Sequence, residues 1–115
     1  LTFNLSRDRI TVETVEPEML ELDHVQMNSP NVLDKKDFEN WVQERGLYFA
    51  DSWDSSFTPM ISWSDPGEKK KLGSWIVANY GNGTVTYCSL SLFRQWRHGV
   101  EGAFRILANL VGHGK

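Results

Sequence analysis

The fold is decided by residues 74–90, which read SWIVANYGNGTVTYCSL. Two runs rich in β-branched and aromatic residues, 74–80 and 84–90, flank the segment Gly81-Asn82-Gly83. Such runs favour strands, and a short connection of glycine and asparagine is typical of a hairpin. We therefore predict an antiparallel β-hairpin with a three-residue loop.

A helix is predicted before the hairpin, over residues 34–45. Asp34 is a favourable N-cap, and Asp37 follows three residues later, as in a capping box. Gly46 is a typical C-terminal stop. The apolar stripe of this helix has the spacing i, i+3, i+4 and consists of Phe38, Trp41 and Val42.

A second amphipathic helix is predicted over residues 101–111, with Gly112 as its stop. One broad apolar face is formed by Ala103, Phe104, Ile106, Leu107, Leu110 and Val111. Short strands are predicted at residues 9–15, 19–22, 47–50 and 60–63.

These elements together predict an α+β fold. The connections between most strands are too short for the crossovers that parallel strands need. We therefore expect a mixed, largely antiparallel sheet with two amphipathic helices, in one domain that spans residues 1–115.

Composition excludes several classes of protein. The 115 residues carry a formal charge of −3, whereas a nucleic-acid-binding domain normally has a basic face. No run approaches the roughly 18 apolar residues of a membrane-spanning helix. The chain begins at Leu1 rather than at Met, which favours a fragment or a processed form of a larger protein.

Residues that could carry chemistry are few and scattered. His24, His98 and His113 have no metal-ligand spacing, so we expect neither a metal nor a cofactor. Cys88 lies in the middle of a predicted strand, as a buried structural thiol does. His98 precedes Glu101 by three residues, but a surface histidine beside a helix-start glutamate is the favoured explanation of that pair.

Tryptophan is frequent, and three of the five indoles lie in or near predicted loops: Trp53, Trp63 and Trp96. Exposed aromatic rings can stack on sugars. Asp54 and Asp65 lie near the first two and could accept hydrogen bonds from sugar hydroxyls. These five residues form a candidate carbohydrate site, although the favoured interpretation is that the same indoles cover a small core.

Several segments resemble one family of large bacterial proteins. The longest reads DFENWVQERGLYF, at residues 37–49. Shorter ones are Trp53-Asp54, Thr58-Pro59, 65–68, 80–84, 91–95 and 99–105. Together they span most of residues 30–111. They resemble the C-terminal region of PIG-L/LmbE-type deacetylases, a region that is itself similar to class I glutamine amidotransferase domains.

The resemblance implies a parent protein that is a zinc-dependent hydrolase of N-acetylated sugars. The metal motif of that family, His-Pro-Asp-Asp with a distant histidine, is not found in these residues. Active amidotransferases combine a cysteine on a nucleophile elbow with a His-x-Glu pair. The spacing of His98 and Glu101 differs from that pair, and the elbow is expected before Leu1.

Three functions therefore remain open at this stage. The first is a non-catalytic accessory domain that packs on the rest of the parent chain or on another subunit. The second is a carbohydrate-binding module. The third is an inactive amidotransferase-like fragment. In that case the fold is the C-terminal half of an α/β domain, with an exposed sheet edge. An exported bacterial parent is expected from the resemblance, but the residues themselves indicate no compartment.

Overall fold

A computed structural model describes residues 1–12 and 14–112 of the chain. Seven strands lie within these described residues: β1 (Phe3–Leu5), β2 (Glu18–Met19), β3 (Ala50–Trp53), β4 (Phe57–Pro59), β5 (Ile61–Ser62), β6 (Trp75–Tyr80) and β7 (Gly83–Cys88). The helices are α1 (Val25–Asn28), α2 (Leu92–Arg97) and α3 (Glu101–Gly112), and a 3₁₀ turn covers Lys35–Phe38. The fold is α+β, as the sequence predicts.

All strand pairs are antiparallel, but the strands form three small sheets. β1 pairs with β3, β2 pairs with β5, and β6 lies between β4 and β7. The sheets, α3 and the loops enclose one main core, which includes Ile10, Phe38, Trp41, Phe49, Trp63, Trp75, Val77, Ala103 and Ile106.

The predicted hairpin is confirmed, with a tighter turn. Tyr80 pairs with Gly83, so the loop has two residues, Gly81 and Asn82, rather than three. Gly81 has a φ of 58°, as expected at the first central position of a type II′ turn. That turn matches the twist of the two strands, and the register of the hairpin follows from it.

The predicted helix at residues 34–45 is wrong beyond its first turn. The capping box is present, since Asp34 and Asp37 bond each other's backbone, but the 3₁₀ turn ends at Phe38. Asn40 and Gln43 then adopt positive φ values of 65° and 58°. These left-handed residues break any helix, and tertiary hydrogen bonds supply the partners that helical bonds would have supplied.

Buried polar side chains hold this irregular segment. The Trp41 indole donates to the Asp37 carbonyl at 2.8 Å. The Gln95 side chain accepts from the Val42 amide at 2.7 Å and donates to the Val42 carbonyl at 2.9 Å. Arg45 is buried and donates to the Phe38 carbonyl. This segment is therefore held by side-chain bonds to the end of the 3₁₀ turn and by Gln95, which lies 53 residues further along the chain.

Two further strand predictions need correction. Ile10 makes a single bridge with Gly46, and no strand forms from 9–12 or 14–15 because the amides of Thr11 and Val12 bond the Asp65 carboxylate instead. The strand predicted at 47–50 begins only at Ala50, since Tyr48 has a left-handed φ of 57°.

The C-terminal helix is confirmed, but its apolar residues face two ways. Its buried residues are Gly102, Ala103, Ile106 and Asn109. Phe104 and Val111, which the sequence places on the buried face, are exposed. The apolar face of α3 is broader than the side of the helix that packs on the core. Part of that face is therefore in contact with solvent.

Candidate functional site

Two clefts adjoin each other around the start of α3, and His98 lines both. The first, which we call the polar cleft, has a volume of about 670 Å³. It is lined by Asp34, Lys36, Asp37, Glu39, Asn40, Val42, 98–102 and Arg105. It lies between the 3₁₀ turn and the first turn of α3.

Close backbone packing builds the wall of the polar cleft. A Cβ atom on Gly102 would lie 1.7 Å from the Asp37 carbonyl oxygen, so only glycine permits this approach. The same packing brings the Arg105 Nε within 2.7 Å of the Asp37 carboxylate. That carboxylate also accepts from the Asp34 amide at 3.0 Å. Asp37 and Arg105 therefore serve to join α3 to the 3₁₀ turn.

His98 and Glu101 both line the polar cleft and are both exposed. Within the described residues no hydrogen bond joins the two side chains, and none orients the imidazole. General acid–base catalysis needs a positioned proton-transfer group. The geometry thus gives no support to catalysis by this pair.

The second cleft, which we call the basic groove, has a volume of about 680 Å³. Its lining consists of Gln43, Leu47, Leu90, Ser91, Leu92, Phe93, Arg94, Arg97 and His98. Leu90 and Leu92 are buried and form an apolar floor. Among the described residues, the lining contains two arginines and no carboxylate.

The two arginines of the basic groove are held differently. Arg94 forms an ion pair with Glu44, which lies outside the lining, and this hydrogen bond holds the pKa of the Glu44 carboxyl below its usual value. The Arg97 guanidinium lies 5.9 Å from the centroid of the Phe93 ring, a cation–π geometry. Arg97 therefore presents most of the uncompensated positive charge.

Beside the groove lies a row of aromatic rings on α2 and α3, which we call the aromatic face: Phe93, Trp96 and Phe104. Each neighbouring pair has ring centroids 6.5 Å apart. The Trp96 indole donates to the Ala103 carbonyl at 3.2 Å and is half-buried. Phe93 is 68 % exposed and Phe104 is 50 % exposed. Phe93 belongs to both the face and the groove.

The structure corrects two residues of the predicted carbohydrate site. Trp63 is only 2 % exposed; it packs against Phe38 and Phe49 and donates to Ser74. Neither face of its ring is accessible to a sugar. Asp65 is buried, and its carboxylate accepts from the backbone amides of Thr11 and Val12. Both residues belong to the scaffold.

The other predicted sugar ligands are placed apart. Trp53 packs, half-buried, on a small second apolar cluster, whereas Trp96 packs on the main core. Asp54 accepts from the amides of Thr2 and Ser56, and the Thr2 bond is the main cause of the lowered pKa of its carboxyl. Sugar binding by Trp53, Asp54 or Trp96 stays a prediction, without a shared site.

The remaining chemical candidates are scaffold groups. The His24 Nδ1 accepts from the Gln26 amide and caps α1, while His113 lies outside the described residues. In residues 1–12 and 14–112, no three His, Cys, Asp or Glu side chains are grouped to hold a metal ion. Within the same ranges, no helix is long and apolar enough to cross a membrane.

Cys88 packs against the main core. Burial raises the pKa of its thiol to about 12, and only the thiolate is nucleophilic. We expect iodoacetamide at neutral pH to alkylate Cys88 at least about tenfold more slowly in the folded protein than in guanidinium. Mass spectrometry of timed samples measures both rates. Equal rates would contradict this account of the thiol.

No family profile matches this chain, and neither a curated protein nor a solved structure shows significant similarity to it. Phe93 and Phe104 of the aromatic face are exposed beside the basic groove, and this surface is the candidate functional site. No local sequence pattern predicts this surface as a unit, because it is assembled from residues 43–47, 90–98 and 104.

Proposed function

We propose that this chain is a non-catalytic accessory domain of a PIG-L/LmbE-type hydrolase of N-acetylated sugars. In this proposal the domain docks on the catalytic part of that protein through the aromatic face. The single observation that carries the docking is the exposure of Phe93 and Phe104 beside Trp96. The identity of the parent protein rests on the resemblance of residues 37–49 and the shorter segments.

The composition of the aromatic face supports docking. Aromatic residues and arginine are enriched in the centres of protein interfaces, where they supply most of the binding energy. Here three rings form a continuous row, and Arg97 lies over the first ring. On α3, Phe104 and Val111 are seven residues apart, which extends the same side of the helix.

The catalytic part of the same protein is the occupant that the resemblance favours. Covalent linkage raises the effective concentration of a neighbouring domain to the millimolar range. A face of three rings is then sufficient for stable docking within one chain, and between separately purified parts it supports the weak, measurable association that small interfaces give.

The decisive variant is Phe93→Ser combined with Phe104→Ser. Both rings are exposed, so their loss should leave the fold intact while it removes the centre of the interface. We expect at least about a tenfold weaker binding to the separately purified deacetylase part, as for other aromatic hot spots. Isothermal titration calorimetry measures the affinity, and a two-dimensional amide NMR spectrum verifies the fold.

Tyr80→Ser is the matched control, because Tyr80 is 69 % exposed on the hairpin and lies outside the aromatic face. Its affinity should equal that of the unchanged domain. Equal affinity of the double variant, or the absence of any binding, would contradict docking through this face.

Carbohydrate binding is the second candidate function, and the exposure of the aromatic face also favours it, because sugar rings stack on accessible aromatic rings. The same NMR sample distinguishes the two functions when N-acetylated and neutral oligosaccharides are added. Shifts of the Trp53 or Trp96 indole signals with a sugar, without binding to the deacetylase part, would favour the carbohydrate-binding module.

A further inference from the structure

We infer that the basic groove receives a segment of the docking partner in which a carboxylate stands beside apolar side chains. This inference rests on the proposed function and specifies the chemistry of the partner. It starts from the position of Phe93, which is both the first ring of the aromatic face and a wall of the groove. A partner that covers the face therefore reaches the groove.

The floor of the groove selects apolar side chains. Leu90 and Leu92 are buried beneath it, and Leu47 lines one side. A volume of about 680 Å³ lies in the range of clefts that bury ligand groups. Apolar side chains that enter it exchange water for contact with leucine, which is favourable in proportion to the apolar area buried.

The charge of the groove selects a carboxylate. The whole chain has a formal charge of −3, yet in residues 1–12 and 14–112 the groove is lined by Arg94 and Arg97 without any carboxylate. Glu44 offsets Arg94 from outside the lining. Arg97 makes no ion pair within the described residues, and its stacking on Phe93 keeps its guanidinium at the groove.

This combination distinguishes an acidic, apolar peptide from other ligands. Nucleic acid requires several cations along the path of its backbone, whereas here one uncompensated arginine stands over a leucine floor. Guanidinium groups bind carboxylates with a planar, two-pronged geometry. In a peptide segment that alternates Asp or Glu with Leu or Phe, the apolar side chains can pack on the leucine floor while a carboxylate binds Arg97.

The test uses the whole chain and a capped hexapeptide, acetyl-Asp-Leu-Glu-Phe-Leu-Glu-amide. A control peptide carries Asn and Gln in place of Asp and Glu. We expect the acidic peptide to shift the amide signals of residues 90–98 and the Arg97 Nε signal. The control peptide should bind about fivefold more weakly, the upper range for one exposed ion pair.

Arg97→Gln keeps much of the length of the side chain and removes its charge. We expect it to weaken binding of the acidic peptide about fivefold and to leave the affinity for the control peptide unchanged. Lys70→Gln is the matched variant, since Lys70 is an exposed cation outside the groove. It should alter neither affinity.

The possible results separate the two proposals. If the deacetylase part binds through the aromatic face but the two peptides bind equally well, or Arg97→Gln has no effect, the groove inference is overturned and the docking function stands. If the acidic peptide binds as expected but the deacetylase part does not, the docking function fails and the charge selectivity of the groove stands. Failure of both peptides to shift residues 90–98 overturns the groove inference.

Discussion

Replacing Gly102 with alanine is expected to lower the free energy of unfolding by about 3 kcal/mol or more. The new Cβ would lie 1.7 Å from the Asp37 carbonyl oxygen and 2.3 Å from its carbon. Backbone atoms cannot rotate away as a side chain can, so α3 would have to move off the 3₁₀ turn. The Arg105–Asp37 ion pair depends on the same approach.

Equilibrium unfolding in urea, followed by tryptophan fluorescence, measures this loss of stability. Gly83→Ala is the control, because the nearest atom to its added Cβ is 3.9 Å away. Its stability should lie within about 0.5 kcal/mol of the original protein. A Gly102→Ala protein as stable as the Gly83→Ala protein would show that α3 does not pack on Asp37 in this way.

Replacing Trp63 with alanine is expected to lower the free energy of unfolding by about 3–5 kcal/mol, the range for large aromatic residues in a core. Trp63 packs against Phe38 with ring centroids 5.5 Å apart and against Phe49 at 6.4 Å. Its loss would leave a cavity between these rings and would leave the Ser74 hydroxyl without its indole donor. This prediction separates a core indole from the sugar-binding indole that the sequence suggested.

Thermal unfolding followed by circular dichroism provides the measurement for Trp63→Ala. Tyr80→Ala removes an exposed ring and should change the stability by no more than about 0.5 kcal/mol. If Trp63→Ala were as mild as Tyr80→Ala, the indole would have to lie at the surface, and the carbohydrate site would regain its central residue.

The parts of the fold that the sequence could predict are those set by local rules. The hairpin follows from the strand propensities on either side of Gly81-Asn82-Gly83, and α3 follows from its apolar periodicity. The capping box of Asp34 and Asp37 is also local, and it is formed as predicted. In each case the deciding interactions join residues close in sequence.

The rest depends on partners far along the chain. A helix-like pattern continues through Trp41 and Val42, but the side chain that bonds Val42 is Gln95, which is 53 residues away. Asn109 likewise holds the carbonyls of Gln26 and Asn31 from 83 and 78 residues away. No local pattern shows that the side-chain amides of Gln95 and Asn109 bind these backbone groups. The helix predicted at residues 34–45 is therefore longer than the 3₁₀ turn that forms there.

The candidate site was missed for a related reason. Periodicity assigned Phe104 to the core face of α3, because it cannot tell which part of a broad apolar face finds a partner. The basic groove needs the bridge between Gly46 and Leu90, which brings residues 43–47 beside α2. The exposure of the loop tryptophans, by contrast, was predicted from neighbouring residues alone. The structure shows that one of them, Trp63, is buried.

The amide of Gln95 has a dynamic consequence. It makes with Val42 the pair of hydrogen bonds that a neighbouring strand would make. A side chain on α2 thus takes the place of a strand as the hydrogen-bond partner of this backbone. Segment 39–48 has little regular secondary structure, yet it cannot open there unless α2 releases it. We therefore expect the loop and the helix to open together, as one cooperative unit, in local unfolding.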